Sequence, residues 1–179
     1  MRIIEDDLTG LEIRALLETH FAGMLANSPE GSCHFLDFDG LNASDVTFWS
    51  IWAKDKNGGS LAGCGALKEL DSRQGEIKSM RTHADHLRKG VAAKMLTHII
   101  DVASARGYAR LSLETGTGDA FDPAGRLYER FGFTDCPPFA DYVLDPFSRF
   151  MTLDISAARR QKEQGQLCST SSTAKDHKI

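Results

Sequence analysis

The stretch HLRKGVAAKML, residues 86–96, sets two basic residues and a glycine directly ahead of an apolar stripe. Val91, Met95, Ile99 and Val102, with Ala92, Leu96 and Ile100 beside them, recur at helical spacing. The helix they predict opens on Arg88-Lys89-Gly90, where Ser, Thr, Asp or Asn would ordinarily cap the free N–H groups. An uncapped helix start keeps unsatisfied N–H groups and the positive end of the helix dipole, so it attracts anions. Gly90 and Ala92 are small enough to let phosphate oxygens reach the backbone, and Arg88, Lys89 and Lys94 supply charge around the rim. The pattern points to a phosphate-bearing ligand, with a plain solvated helix entrance as the competing reading.

Other reactive side chains carry less information. His83 and His86 stand three apart, but no cysteine or third ligand accompanies them, so no metal is expected. Cys33, Cys64, Cys136 and Cys168 are widely spaced without a C-x-x-C pair, as free thiols would be. The net charge of −4 supplies no global attraction to nucleic acid or to an anionic membrane. The first residues, MRIIEDDLTGLEI, carry acids where a signal peptide would be apolar, and no apolar run is of membrane-spanning length. The expectation is a cytoplasmic domain with a core of ordinary size.

The elements that must position the basic loop follow from periodicity. RIIE reads as a strand, and Thr9 to about Leu25 as a helix with apolar Leu11, Ile13, Leu16, Leu17, Phe21 and Leu25 and with Thr9 as its cap. A turn-rich segment containing Phe35, Leu36 and Phe38 precedes VTFWSIWA and LAGCGALKEL, two arms of a hairpin around DKNGGS. GEIKSMRTH gives a further strand before the basic loop and its helix, which Gly107 ends. YARLSLET, PAGRLYERFG, FTDC and RFMTLDI read as strand, helix, strand and strand, with PPFADYVLDPFS as a Pro-bounded loop. A meander followed by strand–helix–strand–helix predicts an α/β (α+β) domain over residues 1–155, a mixed sheet with helices on both faces. Residues 156–179 read as a polar tail, expected to open with a short helix and to be disordered after it.

The basic loop and LYERFGF, residues 127–133, together resemble the GNAT superfamily of acyl-CoA-dependent N-acyltransferases, in its bacterial small-molecule acetyltransferase branch. The likeness spans about Phe48 to Leu153. It implies a mostly antiparallel sheet of about seven strands with a splayed central pair, and acetyl-CoA as co-substrate without a metal. In the family the loop R/Q-x-x-G-x-G/A wraps the coenzyme A pyrophosphate; here it is Leu87-Arg88-Lys89-Gly90-Val91-Ala92, with Leu87 departing from the pattern. The family's asparagine upstream of the tyrosine falls on Phe121, and Arg126 on the same helix is a further candidate contact.

Acetyl transfer to an amine needs a base, an oxyanion site and an acid for the leaving thiolate. The resemblance assigns the first to Glu76, with His83 as the alternative. It assigns the second to main-chain N–H near Met80, in the Met80-Arg81-Thr82 stretch that also pairs with the pantetheine amides. It assigns the third to Tyr128. His34, Asp37 and Tyr142, on the two long loops, are candidates to hold the acceptor, a small-molecule amine. A homodimer is left open. The rival is a non-catalytic acyl-CoA-binding or sensing module of the same fold. Nucleotide-dependent enzymes are disfavoured because no G-x-x-x-x-G-K-[ST] occurs and no G-x-G-x-x-G follows a strand.

Overall fold

The computed structural model describes residues 1–29, 31–32, 34–54 and 59–156; residues 157–179 of the polar tail lie outside them, as do Cys33 and Cys168. The alternating aromatic and β-branched run becomes β2 (Val46–Ala53), paired antiparallel with β3 (Ser60–Asp71) as the hairpin pattern requires. β1 (Arg2–Glu5) lies outside β2, and β4 (Gln74–Thr82) returns along β3. β5 (Arg110–Gly116) enters parallel to β4, followed by β7 (Ser148–Asp154) and the two-residue β6 (Thr134–Asp135) at the edge. The order is β1-β2-β3-β4-β5-β7-β6, a mixed and mostly antiparallel sheet of seven strands.

Helices cover both faces. α3 (Val91–Ala105) buries Val91, Met95, Leu96, Ile99 and Ala103 against Ile77, Leu111, Leu113 and Met151, with Tyr128 of α4 (Asp122–Arg130) in the same cluster. α1 (Leu11–Asn27) and the short α2 (Phe38–Leu41) pack Ile13, Leu16, Leu17 and Leu41 on the other face, against Phe48, Leu61 and Cys64. Each fully buried Leu or Ile contributes about 1.5–3 kcal/mol, so the two clusters fix the strand faces and thereby the side chains between them. Among the described residues no helix is long and apolar enough to cross a membrane.

Two local expectations change. Gly10, not Thr9, is the N-cap of α1 and makes no side-chain cap bond; the Thr9 hydroxyl instead donates to Asp7 Oδ1 at 2.7 Å. The tight turn between β1 and α1 turns Thr9 back on its own loop, an option Ser and Thr side chains always hold against capping. Leu11 and Leu25 are 83% and 62% exposed, because they fall off the Ile13–Leu16–Leu17–His20 stripe that meets the sheet.

The pairing of β4 with β5 is short. Gln74, Gly75 and Glu76 face Arg110, Leu111 and Ser112, and the ladder then stops although β4 runs on to Thr82 and β5 to Gly116. The two strands therefore splay from Glu76 onward. Within the splayed part β4 carries a bulge: Cys64 pairs with Arg81 and Ala66 with Lys78, so Ser79 and Met80 together oppose Gly65. Ser79 takes the left-handed φ of 52° that this bulge needs.

Candidate active site

The basic loop ends on two left-handed residues, Arg88 at φ 58° and Gly90 at φ 77°. Gly90 is the N-cap of α3, no side chain caps the helix, and its first turn holds no acid. The first-turn N–H groups are thus left to an external acceptor. Lys89 is tied back by its Nζ to the Asp85 carbonyl at 2.7 Å and Lys94 to the Met1 carbonyl at 3.1 Å, while Leu87 stands 57% exposed at the rim. Val91 is buried beneath the loop, where a Cβ on Gly63 would come within 3.0 Å of its side chain.

A cleft of about 1640 Å³ runs from this loop, through Leu87 to Ala92, along Met80, Arg81 and Thr82 of β4 to Tyr128 on α4. Tyr128 is 6% exposed and packs edge-on to Phe133, with ring centroids 5.6 Å apart. Its hydroxyl has no hydrogen-bond partner among the described residues. Burial pushes the phenol above its ordinary value, so it is held as a proton donor at neutral pH. His83 is also on the cleft wall, where its Nδ1 accepts from the Asp85 N–H at 3.3 Å and closes the turn Ala84–His86. Its ring lies 6.1 Å from that of His86, whose Nε2 meets Ser60 Oγ at 3.1 Å. Among the described residues no group of three or more His, Cys, Asp or Glu could hold a metal ion.

Arg126 is elsewhere. It pairs with Asp122 at 3.5 Å on the exposed side of α4 and lines a separate small hollow with Gly116 and Arg149. Phe121 packs at a right angle on Phe147, over Gly116. Arg81 turns its guanidinium toward α1, where it passes 3.8 Å from the position of a Cβ on Gly23.

On the opposite face of the splay, a second set converges. Glu76 is 3% exposed. Its Oε1 accepts from Lys78 Nζ at 3.0 Å and from the Tyr142 hydroxyl at 2.5 Å. Lys78 Nζ also donates to the Tyr142 oxygen at 2.6 Å and to the His34 carbonyl at 2.9 Å, which engages all three of its protons. Burial and the Glu76 charge push the Tyr142 phenol far above its ordinary value. His34 stacks edge-on to Tyr142 at 5.2 Å, and Phe139 and Phe150 complete an aromatic wall. Glu76, His34 and Tyr142 are thus brought together. Asp37 is not part of this set: its carboxylate accepts from Gly40 N–H at 2.8 Å and caps α2.

Lys78 of this set and Glu114, which faces it from β5 and accepts from the Ser148 hydroxyl, escape a reading of the sequence. Lys78 looks like one more member of the basic cluster before α3, and Glu114 like a strand-end acid. The usable signal is alternation: Glu76 and Lys78 are two apart on β4, and Ser112 and Glu114 two apart on β5, all on the face away from Leu111 and Leu113.

A profile of the acetyltransferase (GNAT) family matches residues 13–133. The chain is 57% identical over 152 residues, 85% of its own length and 98% of the relative's, to the uncharacterized N-acetyltransferase YsnE of Bacillus subtilis. Among solved structures, an acyl-CoA N-acyltransferase of Klebsiella pneumoniae is 26% identical with a TM-score of 0.68, covering 86% of this chain and 97% of that one. An acetyltransferase of Bacillus subtilis solved in complex with CoA shares the fold at 18% identity, with a TM-score of 0.60 over 86% of this chain and 98% of that one.

Proposed function

We propose that this chain, which belongs to the acetyltransferase (GNAT) family and is an N-acetyltransferase, moves the acetyl group of acetyl-CoA to the amine of a small molecule by direct attack in a ternary complex. The observation that carries this reading is the continuity of one cleft from an uncapped helix start to a buried tyrosine whose hydroxyl has no partner among the described residues. CoA bound to a protein of the same fold supports the choice of co-substrate.

The N–H groups at the start of α3 receive the pyrophosphate, with Arg88 and Lys89 at its rim. Leu87 gives no side-chain contact, and this costs little where main-chain donors do the binding. The unpaired edge of β4 from Met80 to Thr82 lies open to the pantetheine amides in the manner of an added strand. The Ser79–Met80 bulge turns main-chain N–H near Met80 toward the thioester carbonyl, where negative charge develops. Tyr128 donates its proton to the departing thiolate. Arg126, paired with Asp122 outside the cleft, has no part in this arrangement.

The amine comes from the other face, past His34 and Tyr142. Of the two base candidates, His83 caps a turn beside the phosphate loop, whereas Glu76 stands where the strands part. Glu76 is already neutralised by Lys78, so its first task is to hold Lys78 and Tyr142 in place.

The test is release of CoA thiol from acetyl-CoA over a panel of primary amines. Turnover with at least one amine, lost in Tyr128→Phe, is the expected result. Tight acetyl-CoA binding with no release over the whole panel would identify a sensing module instead.

A further inference from the structure

Glu114 is a half-buried carboxylate on β5 with an unusual balance of partners. Its Oε1 accepts from the Ser148 hydroxyl at 2.7 Å, a neutral donor, and its Oε2 has no hydrogen-bond partner among the described residues. No cation lies within ion-pair reach of it among those residues. Yet it shares the face and the mouth of the splay with Glu76 and Lys78, across the gap where β4 and β5 no longer pair. The ionisable groups facing it are Lys78 and Glu76 from β4 and His34 from the loop after α1. Lys78 spends its protons on Glu76, Tyr142 and the His34 carbonyl, so none is left for Glu114. Phe150, its register partner on β7, packs with Tyr142 and Phe139 into an aromatic wall beside it.

The pair Glu76–Lys78 is neutral, so Glu114 leaves this face of the splay with one uncompensated negative charge. A half-buried carboxylate with a free oxygen and aromatic neighbours is completed by an organic ammonium group. A carboxylate-bearing acceptor would instead set its anion against Glu114, beside a Lys78 already engaged with three acceptors. We propose that Glu114 binds the ammonium form of the acceptor and takes its proton, which makes the acceptor a cationic amine without a carboxylate beside the reacting nitrogen. This rests on the acetyl-transfer reading above.

One N–H bond of the ammonium breaks and its proton goes to Glu114 Oε2, leaving a neutral amine. The nitrogen lone pair forms the C–N bond with the acetyl carbon as the C–S bond breaks and its electron pair leaves on sulfur. Tyr128 protonates that sulfur and regains a proton that the new amide nitrogen gives up through solvent. Glu114 returns its proton to solvent, so ammonium and acetyl-CoA give amide, CoA thiol and one proton. Burial raises the Glu114 carboxyl above its ordinary value, opposed by the Ser148 hydrogen bond and by Lys78 and His34, which suits a proton acceptor better than an ion-paired acid.

The experiment is the pH profile of kcat/KM for wild type, Glu114→Gln, Glu114→Asp and Ser148→Ala, with acetyl-CoA binding measured by calorimetry on each. Glu114→Gln is expected to lose about 100-fold at neutral pH toward an ordinary alkylamine. It should keep most of its rate toward a fluorinated, weakly basic amine that is already neutral, with acetyl-CoA affinity unchanged. Glu114→Asp should restore the acid limb of the profile. Ser148→Ala removes a hydrogen bond that favours the ionised carboxylate, so that limb should move to higher pH, and this arm stands even where Glu114→Gln does not fold. An unchanged limb in Ser148→Ala, or equal losses toward basic and weakly basic amines in Glu114→Gln, overturns the assignment while leaving acetyl transfer intact. Preference of the wild type for amino acids over simple diamines overturns it as well. Absence of acetyl transfer to every amine, with the wild type folded, overturns both.

Discussion

The two faces of the splayed β4–β5 junction hold charge by different means. On the cleft side the polar groups are main-chain N–H at an uncapped helix start and along a strand edge. On the other side they are side chains: Glu76, Lys78 and Tyr142 locked by mutual hydrogen bonds, with Glu114 beside them. A backbone site depends on chain conformation and tolerates many side chains. A side-chain site depends on each partner, because removing one strands another in low dielectric. The first suits a co-substrate shared across a family, and the second an acceptor particular to this chain.

Lys78→Met should do the greatest damage. The side chains of Lys78 and Glu76 are 9% and 4% exposed, so the substitution leaves a buried carboxylate unpaired and should cost about 3–5 kcal/mol in denaturant unfolding. Stability equal to wild type would erase the contrast between the faces. Ala92→Glu probes the other face. It adds a favourable acid to the first turn of α3, so the fold should keep its stability. A carboxylate about 6 Å from a phosphate charge costs about 3 kcal/mol at an effective dielectric of about 20, so acetyl-CoA affinity should fall by about 100-fold by calorimetry. Tyr128→Phe should lower kcat by a similar factor, about 100-fold, while Kd for acetyl-CoA stays put; a change in Kd alone would make Tyr128 a packing residue. Smallest is Gly90→Ala. The added Cβ meets nothing within 4 Å, so the penalty is the left-handed φ alone, about 1–2 kcal/mol in thermal or denaturant unfolding.

How legible each face was in the sequence follows from the same contrast. Strand and helix order could be read because β2 is a β-branched and aromatic run buried on both faces and α3 repeats at 3.6 residues with one buried face. The uncapped helix start was equally plain, since a missing cap and a glycine are local facts. The proposed acceptor face was harder. His34 and Tyr142 stand 108 positions apart and meet only because the loops after α1 and β6 fold over the same strand edge. Lys78 was hidden among basic neighbours, although alternation sends its side chain to Glu76 and away from the helix start. Asp37 misled because an acid on a loop reads equally as a ligand or as a cap, and here α2 begins one residue later. Thr9 misled in the reverse sense, a capping residue drawn off by a nearer acid.

The most direct test is a calorimetric titration of the folded chain with acetyl-CoA, using AMP as the control and Ala92→Glu as the second sample. The expected result is one micromolar site for acetyl-CoA, much weaker binding of AMP, and loss of the acetyl-CoA signal in Ala92→Glu. No heat from acetyl-CoA, or equal binding in wild type and Ala92→Glu, would contradict the assignment of the α3 helix start as the coenzyme site.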